Sequence, residues 1–204
     1  MKKILTIAIA LFAMLPASFA QEAGRAMPEN GDIRVGLSWG WAWSINFDGR
    51  PHSKPILPIG AYADYTFTTF ADGKGSLAGG AMFEFCRYQT WSTDKEIATI
   101  GFKTTHTWTQ GILAATATVR YCFGQDFEVY ARGFLGKDLQ LGYDEEYSDE
   151  SYAAMIPHTS GPGNTGASGL QLGIGEMVTD KTSISIQLGL GSYTTLGFLL
   201  AYKF

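Results

Sequence analysis

Residues 194–204 read TTLGFLLAYKF. In an extended strand Leu196, Phe198, Leu200, Tyr202 and Phe204 share one face, and Gly197, Leu199, Ala201 and Lys203 share the other. A row of large apolar side chains ending on Phe204 needs a cover. Lipid supplies that cover if the strand closes a ring whose outer face sits in a bilayer. The stretch is therefore read as a closing strand with its bulk turned outward.

The same period recurs upstream. Ile33, Val35, Leu37, Trp39, Trp41 and Trp43 alternate with Arg34, Gly36, Ser38, Gly40 and Ala42. Further strands are predicted over 56–67, 77–88, up to Phe123, from Phe127, over 169–178 and through Ile184, Ile186, Leu188 and Leu190, which makes eight with the first and last. Short turns near 71, 125 and 180 alternate with longer connections near 50, 98 and 155, and only the last outer turn, 191–193, is short. The 142–165 segment is expected to be the longest loop. Tyr65, Phe67, Tyr121, Phe123, Phe127, Tyr202 and Phe204 fall outward at one set of strand ends, with Trp39, Trp41 and Trp43 at the other. Two aromatic belts match the two interfaces of a bilayer.

Composition agrees. Charged residues make up 17% of the 204, below the roughly 25% of ordinary soluble domains. Residues 1–20 read as a signal peptide: Lys2 and Lys3, an apolar run from Ile4 to Leu15, Pro16, then Ser18 and Ala20 before a cut at Gln21. Without them the formal net charge moves from −4 to −6, which argues against nucleic acid as a partner. Residues 21–31 are expected to be a periplasmic tail and 32–204 the barrel.

In this pattern the chain resembles the small outer-membrane barrels of the outer membrane protein A, X and W type. The resemblance implies an all-β, eight-stranded antiparallel up-and-down transmembrane barrel, monomeric, in the outer membrane of a Gram-negative cell. It implies Tyr202 and Phe204 as the signal read by the barrel-assembly machinery. Barrels of this type serve membrane structure, adhesion and surface interaction, so the resemblance by itself names no activity.

Several residues carry candidate chemistry. Arg34, Asp64, Glu84, Arg120, Glu128, Arg132 and Lys203 have inward parity, with Arg34 beside Asp64 and Arg120 beside Glu128. An eight-stranded interior is only wide enough for side chains, so these charges are expected to pair and close the lumen. Cys86 and Cys122 also point inward, but at different heights, which predicts no disulfide. Asp144, Glu145, Glu146, Asp149 and Glu150 cluster in the long loop without the spacing of an EF-hand, so no metal and no cofactor are assigned. Outer-membrane lipid A-modifying enzymes need a His with a Ser and an acid; His106 lies in TTHTWT, and His52 and His158 lie in loops, so no catalytic residue is assigned.

Arg87 and Lys137 have outward parity, each ten positions beyond an outward residue at a strand start, Leu77 and Phe127. Ten residues at ~3.3 Å, tilted by about 40–45°, climb roughly 25 Å, the height of the apolar band. Both are expected at the outer rim, against lipopolysaccharide phosphate. Two other readings compete with a surface-acting barrel. One is a soluble periplasmic barrel with an apolar ligand inside, which requires Ile33, Leu113 and Ile186 to point inward. The other is a lipid A-modifying enzyme.

Overall fold

A computed structural model describes residues 27–42, 53–55, 58–92, 103–124, 126–149, 151 and 164–204. Residues 1–20, Trp43, His52, Glu150 and His158 lie outside the described residues. The strands are β1 (Ile33–Trp41), β2 (Ser53–Pro55), β3 (Ile59–Phe70), β4 (Gly75–Ser92), β5 (Thr104–Phe123), β6 (Phe127–Tyr147), β7 (Thr165–Met177), β8 (Thr182–Leu190) and β9 (Leu196–Lys203).

Eight of them form an antiparallel ring, β1–β3–β4–β5–β6–β7–β8–β9, closed by β9 on β1. The closing register runs from Arg34↔Lys203 to Trp41↔Leu196. The short β2 pairs with β4 above β3, from Ser53↔Thr90 to Pro55↔Tyr88. It lies along the same edge of β4 that β3 pairs with, and Pro58, next to the start of β3, offers no N–H. The strand expected over 56–67 runs Ile59–Phe70 among the described residues, and its far end gains a bulge between Thr66 and Thr68. A turn follows in which Ala71, Asp72 and Gly73 all have positive φ.

The faces are inverted relative to a soluble barrel. Ile33 and Leu113 are 47% and 53% exposed, and Ile186 lies on the face opposite buried Ser185 and Gln187. This overturns the soluble periplasmic reading. At roughly 25 cal/mol per Å² of apolar surface, such a belt is unfavourable in water and stable in hydrocarbon. Edge-to-face pairs Tyr65–Phe67, Tyr121–Phe123 and Tyr202–Phe204, with centroids 5.5, 4.9 and 4.8 Å apart, ring the end of the belt where the chain closes.

Inside, large rings need neighbours without a Cβ. A Cβ at Gly36 would run into the Tyr62 ring, and one at Gly173 into Tyr130. Two boundaries differ from expectation. The acidic segment after Gly142 is not loop at its start, because β6 continues to Tyr147 against β5. A hydrogen-bonding partner strand there outweighs the polar composition. The 169–178 strand likewise begins earlier, at Thr165.

Gly36→Val should displace the Tyr62 ring and destabilise the barrel by about 1–3 kcal/mol, as overpacking does. The check is the temperature at which the folded band disappears in heat-modifiable electrophoresis. Combined with Tyr62→Ala, the loss should be smaller than the sum of the two single losses.

Candidate functional site

The lumen is filled by a polar network. Asp64 accepts from Thr116 Oγ1 at 2.9 Å, Thr118 Oγ1 at 3.1 Å, Arg120 Nη2 at 3.0 Å and Arg132 Nη2 at 3.1 Å. Arg34 Nη1 meets Glu128 Oε2 at 2.6 Å, and its Nη2 donates to Ser183 Oγ at 2.9 Å. Arg132 also donates to Gln171 at 3.3 Å and lies 3.6 Å from the Tyr62 ring centroid. All these charged groups are buried.

The pairing differs from the sequence expectation. Arg34 and Asp64 are register partners, yet each binds a group from a more distant strand. Side chains this long cross a narrow ring more easily than they fold back on an adjacent strand. Arg120 binds Asp64 and not Glu128. Removing one partner of a buried pair typically costs 3–5 kcal/mol, because the other charge is left unpaired.

Glu84 stands apart from this network and closes the outer mouth. It accepts the backbone N–H of Tyr193 at 3.0 Å and of Thr194 at 2.9 Å. Tyr193 Oη donates to Asp138 Oδ1 at 2.5 Å. The turn between β8 and β9 is thus drawn into the ring by carboxylates on β4 and β6, and Thr194 is fully buried. A Cβ on Gly40 or Gly197 would strike the Thr194 methyl. The strand predicted from Thr194 therefore starts at Leu196, with Thr194 serving the plug. No sequence signal marks this fold-back beyond the inward parity of Glu84.

Above the mouth the ring becomes lopsided. β4, β5 and β6 have 18, 20 and 21 residues, against 9, 9 and 8 in β1, β8 and β9. About 9–11 residues cross a bilayer, so the three long strands project as a sheet. A bulge aids this: Gln110 pairs Gln140 but Thr109 pairs Gly142, leaving Leu141 extra. The added residue reverses the parity of β6, so Tyr143, Glu145 and Tyr147 join His106 and Trp108 on the inner face.

That face is tightly engaged. Trp108 and Tyr143 have centroids 4.4 Å apart, and Trp108 Nε1 donates to Thr90 Oγ1 at 3.0 Å. His106 Nδ1 lies 2.7 Å from Tyr143 Oη and 3.3 Å from Glu145 Oε1. Glu145 also accepts from Tyr143 and, at 2.7 Å, from Tyr147. The Glu145 interactions raise the Tyr147 phenol above its usual range, since the neighbouring carboxylate stabilises the protonated form. Asp144 and Glu146 face the other side and are exposed, which splits the acidic cluster. Asp149 is held below the usual carboxylate range by Ser151, which donates both its Oγ–H and its N–H. Among the described residues no three His, Cys, Asp or Glu converge as metal ligands.

Arg87 and Lys137 are both exposed on the outer face, opposite Thr109 and Leu113 respectively. Tyr202 and Phe204 sit at the closing seam between β9 and β1, where Phe204 N donates to Ile33 O at 2.9 Å. Cys86 and Cys122 are buried and form no disulfide; Cys86 pairs with Gln110, well up β5 from Cys122.

An antiparallel eight-stranded ring, apolar outside and charged within, carrying a projecting sheet, has the construction of a small membrane-spanning β-barrel. No family model matches the chain, and no curated protein matches it. Among solved structures it is similar to Ail, the attachment invasion locus protein of Yersinia pestis, in complex with the heparin analogue sucrose octasulfate. Identity is 10%, the TM-score is 0.35, and the match covers 86% of this chain and 95% of that one. A second structure of Ail matches at 10% identity and a TM-score of 0.28, covering 86% of this chain and all of the other.

With two seals in series, the purified protein should show no steady ohmic conductance in a planar bilayer. Glu84→Gln weakens charge-assisted bonds, so hydrogen exchange at the Tyr193 and Thr194 amides should speed up at least about tenfold while conductance stays absent. A stable channel in the unaltered protein would contradict a closed lumen.

Proposed function

We propose that this chain is an integral outer-membrane protein that acts at the cell surface through its projecting sheet. In this reading residues 1–20 are cleaved on export, Tyr202 and Phe204 are read by the barrel-assembly machinery, and the barrel works as a monomer. The observation that carries the surface role is the reach of β6 beyond its pairing with β7. β7 pairs with β6 only up to Asp138↔Thr165, while β6 continues to Tyr147. Past that point Gln140 N donates to Asn164 Oδ1 at 3.1 Å. A strand edge that projects this far beyond the ring is a place where another chain can meet this one. Exposed Asp144 and Glu146 on that strand favour a basic segment.

Bacteria expressing the protein should adhere to epithelial cell layers above the level of the empty vector. The change Asp144→Lys with Glu146→Lys should remove most of that adherence and leave the heat-modifiable band unchanged. Undiminished adherence in a correctly folded variant would set the edge aside as the contact surface.

The barrel's depth is attributed to Arg87 and Lys137 against lipopolysaccharide phosphate. Support comes from their exposure on the outer face, Arg87 beyond Phe83 on β4 and Lys137 beyond Leu135 on β6. Charge at the bilayer midplane of a barrel's lipid face costs about 2–4 kcal/mol, so these two side chains belong at a polar rim. Arg87→Gln with Lys137→Gln should reduce lipopolysaccharide co-purification and lower thermal stability in native membranes but not in detergent. Equal losses in both media would assign the charges to the protein instead.

A further inference from the structure

The periplasmic end of the lumen opens into a recess of about 310 Å³, counted with its open side. Arg34, Arg120, Lys203, Asp32, Glu128 and Thr66 line it. The charges do not balance. Glu128 is taken by Arg34 at 2.6 Å, and Asp32 faces Lys203 at 3.7 Å. Arg120 has only a share of Asp64, which Arg132 binds as well. Among the described residues four cations thus meet three carboxylates, and the surplus positive charge lies at Arg120. Hydrogen bonding shows the same deficit. The Nε groups of Arg34 and Arg120 are buried with no acceptor, and so is the hydroxyl of Ser76, the register partner of Arg120. Arg34 and Arg120 are themselves 7% and 4% exposed. A buried guanidinium N–H without an acceptor is strongly disfavoured.

We propose that this recess is a binding site for a small monovalent anion of chloride size, held between Arg34 and Arg120. A single negative charge removes the surplus, and one spherical acceptor can take N–H from two guanidinium groups that line the same recess. A water molecule would satisfy the donors but leave the charge. Glu128 and Asp32 at the same recess repel doubly charged anions, which sets phosphate and sulfate aside. The site faces the periplasm, so it exchanges with that compartment and is independent of the outer sheet.

The test uses the full barrel in detergent, with chloride replaced by gluconate at constant ionic strength. The folded-band melting temperature should rise with chloride and saturate in the millimolar range, as ligand binding to the native state requires. Bromide should substitute, and a bromide-soaked crystal should give an anomalous peak between Arg34 and Arg120. Arg120→Met should abolish the saturable chloride effect. Should that variant fail to fold, the bromide peak in the unaltered protein still decides. A melting temperature that follows ionic strength alone, or an ordered water with no bromide at this position, overturns the site.

Discussion

Asp64 holds the interior together. Its carboxylate takes two guanidinium groups and two hydroxyls, and those partners come from β5 and β6, across the lumen from β3. A ring of eight strands leaves room for side chains and little else, so each inward residue must be satisfied by another inward residue. That constraint explains the company Asp64 keeps. Arg132 is stacked on Tyr62, Tyr62 lies over Gly36, and Tyr130 donates to Gln187 at 3.0 Å. The glycines opposite the rings follow from the same lack of space.

The two ends of the ring are built differently. At the outer end a turn is pulled inward by Glu84 and Asp138, so the mouth is sealed by backbone as well as side chains. At the other end the seal is made of paired charges with hydroxyl and amide partners. The outer end is also where strand lengths diverge. A bilayer requires only enough residues to cross it, so the extra length of β4, β5 and β6 serves something beyond spanning. Their inner face is consolidated by the Trp108, Tyr143 and His106 stack, which lets three strands stand above the ring without a second sheet behind them.

Exposure of large apolar residues, a liability in water, is the consistent feature of the outer surface. It runs through every long strand and ends in aromatic pairs at the rim beside the closing seam. A surface of that kind and a lumen of paired charges require each other: closing the backbone into a ring removes edges, and lipid then replaces the core that a soluble fold would need.

Strand alternation alone determined the ring, the facing of nearly every strand and the inward position of Arg34, Asp64, Glu84, Arg120, Glu128 and Arg132, because the side-chain period of a strand is two and depends on nothing beyond local geometry. It also determined that Cys86 and Cys122 lie apart. Tertiary structure decided the rest. Which inward charge binds which depends on distances across the lumen, so Arg34 found Glu128 and not its neighbour Asp64. Whether 142–147 is strand or loop depends on β5 rising beside it, and the extra Leu141 that turns Glu145 inward is visible only in the pairing. The inward fold of Tyr193 and Thr194 depends on carboxylates far away in sequence, Glu84 and Asp138. Periodicity reports which face a residue is on; only the closed ring brings distant faces within reach of one another.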